Sequence, residues 1–183
     1  AMALFRMNVD WTSWQPATCM PDHCFCEAVR ESAPRQPANT WSNLLFCFLA
    51  FGVFGIAQRK HVETPVLFDE QPLWSRLFAV ATLAVGLGSL FYHASLTLVG
   101  QWFDLSGMYF VVLFMIGHNL AVLRGWTERR FLSFYVGVSG TALAVLTFWP
   151  LGRRFVFAGL VAALLATEIM ARREKRPRRF LAA

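Results

Sequence analysis

Three side chains near the middle of the sequence, Ser89, His93 and Asp104, have types and spacing that suit hydrolytic chemistry. Ser89 and His93 are four residues apart, so they project from one face of a helix. Asp104 follows a short turn, which brings all three side chains to the place where two helices meet. A histidine can bind a metal, and a carboxylate beside it can act as a general base. The alternative is a hydrogen-bonded network between helices that carries out no chemistry.

The segments that hold these residues are too apolar for a water-soluble enzyme. Of the 183 residues, 56% are hydrophobic and 15% are charged, whereas soluble domains are about a quarter charged. The charged residues separate five apolar stretches, each long enough to cross roughly 30 Å of hydrocarbon. We predict an all-α polytopic transmembrane helix bundle. Its five visible spans are expected at about 39–57, 73–96, 102–123, 131–149 and 155–170.

The sequence divides into an amino-terminal segment, residues 1–38, and a transmembrane helical domain, residues 39–183. Residues 178–183 have the pattern of the start of a further span, with cations followed by apolar residues. Within the fifth span, Glu168 lies four residues before Arg172, a spacing that predicts an ion pair on one helix face.

The basic residues predict the orientation in the membrane. Of the 17 Lys and Arg residues, five lie on the amino-terminal side of the spans and twelve on the other side. Because cytoplasmic loops carry the excess of Lys and Arg, we expect cytoplasmic basic loops and an extracytoplasmic amino terminus. Topology and contact with anionic membrane lipids account for the net charge of +6. We expect no nucleic-acid binding, since the basic run from Arg172 to Arg179 directly follows a span on the cytoplasmic side, where it serves topology and lipid contact.

Three cysteines cluster in the amino-terminal segment. An oxidising exterior permits one disulfide among Cys19, Cys24 and Cys26. Cys19 would pair with Cys24 or with Cys26, because a bridge between Cys24 and Cys26 would close a very small loop. Free thiols are the alternative.

Several of these residues occur in an order that resembles the alkaline ceramidase family. The pattern is Cys26-Glu27, then Gln36-Pro37-Ala38-Asn39-Thr40-Trp41-Ser42-Asn43, then Gly88-Ser89 with His93 and Asp104. By motif the resemblance covers roughly residues 22–110. That family belongs to a superfamily of seven-helix membrane hydrolases and receptors that includes the adiponectin-receptor group.

The resemblance implies an intramembrane zinc-dependent amidase that hydrolyses ceramide, or a related N-acyl lipid, to a sphingoid base and a fatty acid. It implies that His93 binds zinc, that Asp104 holds or activates the attacking water, and that Ser89 helps to stabilise the oxyanion. The alternative within the superfamily is a receptor or lipid-binding membrane protein with a structural metal site.

The family takes its two other zinc ligands from an H-x-x-x-H pair in the seventh helix. The four histidines of this sequence contain no such pair. We therefore expect these 183 residues to lack two zinc ligands and the last two of seven helices, and to be inactive by themselves.

The resemblance also implies calcium binding in the amino-terminal segment, by oxygen atoms around the Cys-Glu pair. Asp22, Glu27, Gln36 and Asn39 supply side-chain oxygens there. The alternative is that Glu27 and Gln36 hydrogen-bond this segment to the helices.

Overall fold

The computed structural model describes residues 10–20, 24–58, 72–149 and 151–180. Within these ranges the fold is all-α, as predicted. No strand is found there; one isolated antiparallel bridge joins Pro16 to Thr97. The helices are α1 (Pro37–Ser42), α2 (Leu44–Ala57), α3 (Pro72–Ser95), α4 (Leu98–Arg124), α5 (Glu128–Phe148) and α6 (Arg153–Phe180).

Five helical stretches in the described part of the chain are long and apolar enough to cross a membrane, which confirms the predicted number. The first combines α1 and α2, which are separated only at Asn43. This is the helix content of a multi-pass integral membrane protein. The five stretches are Pro37–Ala57, Leu73–Ser95, Leu98–Arg124, Glu128–Phe148 and Arg153–Arg173.

Two helix boundaries differ by four or more residues from those predicted. Helix α4 begins at Leu98, earlier than the predicted residue 102, because the Thr97 hydroxyl caps it and accepts the Gly100 N–H at 3.1 Å. Helix α6 continues through Phe180, so residues 178–180 prolong the helix that contains the fifth span, and residues 181–183 lie outside the described ranges. Arginine, lysine and glutamate favour helix, so the helix can continue after its apolar stretch has ended.

The chain forms two compact units, Ala1–Met108 and Tyr109–Ala183, with the boundary inside α4. The first unit holds the amino-terminal segment, α1, α2, α3 and the first turns of α4. The second holds the rest of α4 with α5 and α6. The candidate residues Ser89, His93 and Asp104 all belong to the first unit.

In the first unit, α3 and α4 touch through their backbones at two glycines. A Cβ atom on Gly88 would lie 2.7 Å from the Phe103 carbonyl oxygen, and one on Gly107 would lie 2.7 Å from the Val85 Cα. Both distances are below any normal contact, so no larger residue fits without displacing a helix. Small residues allow helices in lipid to approach this closely. The approach brings the residue after Gly88, which is Ser89, beside Asp104.

The amino-terminal segment satisfies backbone groups where α3 ends and α4 begins. The last carbonyls of a helix and its first N–H groups have no partner within the helix, and polar groups left unpaired in an apolar environment are costly. Here the segment supplies those partners, so it is part of the fold. The bonds run from Gln36 N to His93 O (3.1 Å), Arg35 N to Ala94 O (3.0 Å), Ala17 N to Leu96 O (2.9 Å) and Leu98 N to Gln15 O (2.8 Å).

The second unit has an aromatic core and a polar contact between helices. Phe114 and Phe131 are fully buried and meet edge to face, with ring centroids 5.5 Å apart. Glu168 forms the predicted ion pair with Arg172 at 2.7 Å and accepts a hydrogen bond from Asn119 at 3.2 Å. The ion pair is confirmed, and it belongs to a network that joins α4 to α6.

The contact at Gly88 predicts an unusual response to alanine. In a helix, alanine is normally favoured over glycine by about 1 kcal/mol. We expect Gly88→Ala to lower the free energy of unfolding by roughly 1–3 kcal/mol, because overpacking forces two backbones apart. Gly52→Ala in α2 is the control, since a Cβ there meets nothing within 4 Å. Thermal unfolding in detergent measures both, and equal midpoints for the two variants would contradict the close contact.

Candidate functional site

The structure brings together two of the three residues named first. Ser89 lies on α3 and Asp104 lies almost two turns after the start of α4; the exposed fractions of their side chains are 8% and 9%. The Ser89 hydroxyl lies beside the Asp104 carboxylate, and the two groups interact across the contact made at Gly88. Buried polar pairs of this kind interact more strongly than the same pair in water.

His93 lies on α3 one turn after Ser89 and is equally buried, at 7% exposed. Its Nδ1 lies 2.7 Å from the side-chain oxygen of Gln36. An amide oxygen can only accept a hydrogen bond, so Nδ1 carries a proton, and in the neutral imidazole Nε2 then carries the lone pair. No hydrogen bond from a described residue reaches Nε2. Nε2 is therefore the atom that is suited to bind a metal.

Gln36 is fully enclosed and uses both ends of its amide. It is 0% exposed. Its nitrogen donates to the backbone carbonyls of Cys24 and Glu27, the latter at 3.1 Å, while its oxygen faces His93. The position of His93 is thereby linked to the amino-terminal segment through one side chain.

An aromatic ring lies against His93 on a strained piece of backbone. The ring of Phe25 is 4.8 Å from the imidazole, measured between centroids, and the side chain is 56% exposed. The φ angle of Phe25 is +68°, in the left-handed region that residues with a bulky side chain seldom adopt. Such strain persists where surrounding structure imposes it, and often at functional sites.

A disulfide bond restrains the amino-terminal segment that contains Phe25 and Gln36. Cys19 is bonded to Cys24, which is one of the two pairings that the sequence left open, and Cys26 is an exposed free thiol. The Cys19 sulfur also lies 3.1 Å from the Tyr92 hydroxyl. Since the Cys24 carbonyl accepts from Gln36, the disulfide loop is hydrogen-bonded directly to the partner of His93.

Glu27 caps the first helix. Its two carboxylate oxygens accept the backbone N–H groups of Ala38 and Asn39, each at 2.8 Å. Burial raises the pKa of Glu27, but the two N–H donors and the nearby Arg30 lower that pKa by more, so the net shift is downward. The residue therefore stays ionised at neutral pH and stabilises the start of α1.

Calcium binding at the four residues named from the sequence stays a prediction. Asp22 lies outside the described residues. Glu27 and Gln36 make the structural bonds given above, which is the alternative role that the sequence left open for them. A carboxylate oxygen has two lone pairs, so capping α1 leaves Glu27 able to bind a cation as well. Thermal unfolding with and without added calcium would check this.

Among the described residues, His93 has the arrangement that is expected of a zinc ligand. A metal-binding histidine characteristically donates its second ring N–H to a carbonyl or carboxylate, and His93 does so to Gln36. Within the ranges that the structure describes, no three His, Cys, Asp or Glu side chains lie close enough to share a metal. The residues present thus fit a partial site, with His93 as one ligand and the Ser89–Asp104 pair one helical turn away along α3.

A comparison with protein families matches most of the chain. The sequence matches the family Ceramidase over residues 20–180. This chain belongs to the ceramidase family. The match starts inside the disulfide loop, one residue after Cys19, and runs to the end of α6, well beyond the region that carries the motifs. Neither a curated protein nor a solved structure matches the chain.

Sequence reasoning missed the contact between Gln36 and His93. The sequence leaves two roles open for Gln36, calcium binding or a hydrogen bond to the helices, but it does not indicate that the partner is the imidazole 57 residues further along the chain. Phe25 was also overlooked as a neighbour of His93. The position of Gln36 in the sequence could have indicated this contact. Gln36 comes directly before the first span, so it lies at the same membrane depth as the end of the second span, which carries His93.

The capping role of Glu27 leads to a prediction. We expect Glu27→Ala to lower the thermal midpoint of unfolding, because the first two N–H groups of α1 lose their acceptors. Glu31→Ala is the matched control, since Glu31 is an exposed carboxylate of the same segment. Circular dichroism melts of both variants in detergent provide the measurement. A midpoint for Glu27→Ala no lower than that for Glu31→Ala would show that the cap contributes nothing.

Proposed function

We propose that this ceramidase-family protein is a zinc-dependent amidase that hydrolyses ceramide or a related N-acyl lipid to a sphingoid base and a fatty acid. The observation that carries the proposal is the buried Ser89–Asp104 pair, one helical turn from a histidine whose Nε2 is prepared for a metal. Membership of the ceramidase family supports hydrolysis of a lipid amide. Five apolar helices support a substrate that resides in the membrane.

The side chains have distinct roles in this proposal. His93 holds zinc through Nε2, and the metal, when bound, supplies Lewis-acid polarisation of the amide carbonyl. Asp104 acts as general base and takes a proton from water as the water oxygen bonds to the carbonyl carbon. The Ser89 hydroxyl donates to the developing oxyanion. The C–N bond then breaks, and the proton held by Asp104 passes to the departing amine.

The surroundings of the pair suit a lipid substrate. Phe103, the residue before Asp104, is 50% exposed, and Phe25 beside His93 is 56% exposed. Exposed rings next to buried polar groups let acyl chains approach from the lipid while the amide reaches the site. We further propose, from the distribution of Lys and Arg, that this end of the first unit faces away from the cytoplasm.

The proposed site needs ligands beyond those found here. Catalytic zinc takes three protein ligands and keeps a fourth position open. The family pattern supplies two of them from an H-x-x-x-H pair, and the sequence of these 183 residues contains none. We accordingly expect residues 1–183 alone to show no ceramide hydrolysis, and activity tests should use the protein encoded by the complete gene.

Substitutions at the pair test the catalytic roles. We expect Asp104→Asn and Ser89→Ala each to lower kcat for a fluorescent ceramide by about 10²–10⁴, the range typical of lost proton transfer or oxyanion stabilisation. Ser106→Ala is the control, since Ser106 is a buried α4 serine that bonds to the Trp102 carbonyl of its own helix. Full activity in Asp104→Asn would contradict the proposal.

Metal dependence is tested separately. His93→Ala and treatment with a zinc chelator should each abolish hydrolysis, and added zinc should restore activity only to the chelated wild type. Less than about one zinc per chain in the purified active protein would overturn the zinc assignment. Lipid binding that survives both changes, in a protein that never hydrolyses ceramide, would instead favour a receptor or lipid-binding role.

A further inference from the structure

We propose that Gln36 is a positioning residue for His93, acting through both ends of its side-chain amide. The oxygen holds Nδ1–H of the imidazole, so that Nε2 faces the metal position as an unprotonated donor. The nitrogen ties that geometry to the amino-terminal segment. This inference rests on the proposed function only in taking His93 as a zinc ligand.

The first step is the tautomer. A neutral imidazole carries its proton on either nitrogen, and only the unprotonated nitrogen can bind zinc. Gln36 offers an acceptor 2.7 Å from Nδ1. A proton on Nε2 would instead put two lone pairs face to face in a buried place. The contact therefore selects the tautomer that leaves Nε2 ready to bind.

The second step is that Gln36 is itself held in place. Its amide nitrogen donates to the Cys24 and Glu27 carbonyls. These two donations fix which end of the amide faces His93, because the opposite orientation would leave two carbonyls without a donor. Its backbone N–H also donates to the His93 carbonyl at 3.1 Å. Residue 36 thus contacts residue 93 through both main chain and side chain.

The third step explains why the side chain at position 36 is an amide and not a carboxylate. A glutamate at position 36 could still accept from Nδ1–H. It could not donate, so its second oxygen would face the two carbonyl oxygens that now receive N–H groups. Glutamine satisfies all three partners at once, which a buried group with 0% exposure requires. The two functions of the amide can therefore be separated by substitution.

The test uses two variants of Gln36 in the protein from the complete gene. Gln36→Met keeps the length of the side chain and removes both functions, whereas Gln36→Glu keeps the acceptor for His93 and removes the donor. Thr40→Val is the matched control, because the Thr40 hydroxyl donates to the backbone oxygen of Gln36 at 2.7 Å and does not touch the amide.

Zinc affinity, measured by competition with a chromophoric chelator, is the first readout. We expect Gln36→Met to weaken zinc binding by about 10–100-fold, the loss typical when the partner of a metal-binding histidine is removed. Gln36→Glu should lower the thermal midpoint but weaken zinc binding less than Gln36→Met does. Thr40→Val should lose stability without losing zinc affinity. Unchanged affinity in Gln36→Met, despite a lower midpoint, would reduce Gln36 to a structural role and overturn the proposal.

The second readout does not depend on zinc. Nitrogen-15 NMR of histidine-labelled, metal-free protein reports which ring nitrogen is protonated, and the His93 signals are assigned by their loss in His93→Ala. We expect protonated Nδ1 in the wild type and in Gln36→Glu, and a mixture of tautomers in Gln36→Met. An unchanged tautomer in Gln36→Met overturns the positioning role. If the wild type binds no zinc, the proposed function fails while this measurement still decides the role of Gln36.

Discussion

A membrane-spanning helix whose end is buried must find partners for its last carbonyls, since its own turns cannot supply them and an unpaired buried carbonyl is costly. At the end of α3 those partners come from the amino-terminal segment. Arg35 and Gln36 donate to the carbonyls of Ala94 and His93. These backbone hydrogen bonds also place the side-chain amide of Gln36 against the imidazole of His93. The requirement that stabilises the helix end thus also determines the surroundings of His93.

The segment could not do this if it were free to move, and three separate restraints hold it. The Cys19–Cys24 disulfide closes a short loop against Tyr92. Glu27 binds the first N–H groups of α1, so the segment is fastened to the helix that follows it. Gln36 then bonds to the backbone of both Cys24 and Glu27. The described part of this segment has little regular secondary structure, but these bonds attach it to the helices at several points.

The positions of Ser89 and Asp104 depend instead on two glycines, which have no side chain. Gly88 and Gly107 let α3 and α4 meet backbone to backbone, which sets Ser89 against Asp104. Without this contact the two residues would be separated by the width of intervening side chains. The site therefore combines a close helix contact, which positions the serine and carboxylate, with a restrained segment, which positions the histidine.

The sequence by itself determined the all-helical membrane class, the five spans, the Glu168–Arg172 pair and the family, because these depend on local composition, spacing and motifs. It also singled out Ser89, His93 and Asp104. Tertiary structure alone decided which cysteine pairs with Cys19, and it turned Gln36 towards His93. Those outcomes join residues that are distant in the chain or nearly equivalent in spacing, so only the packed fold distinguishes among them.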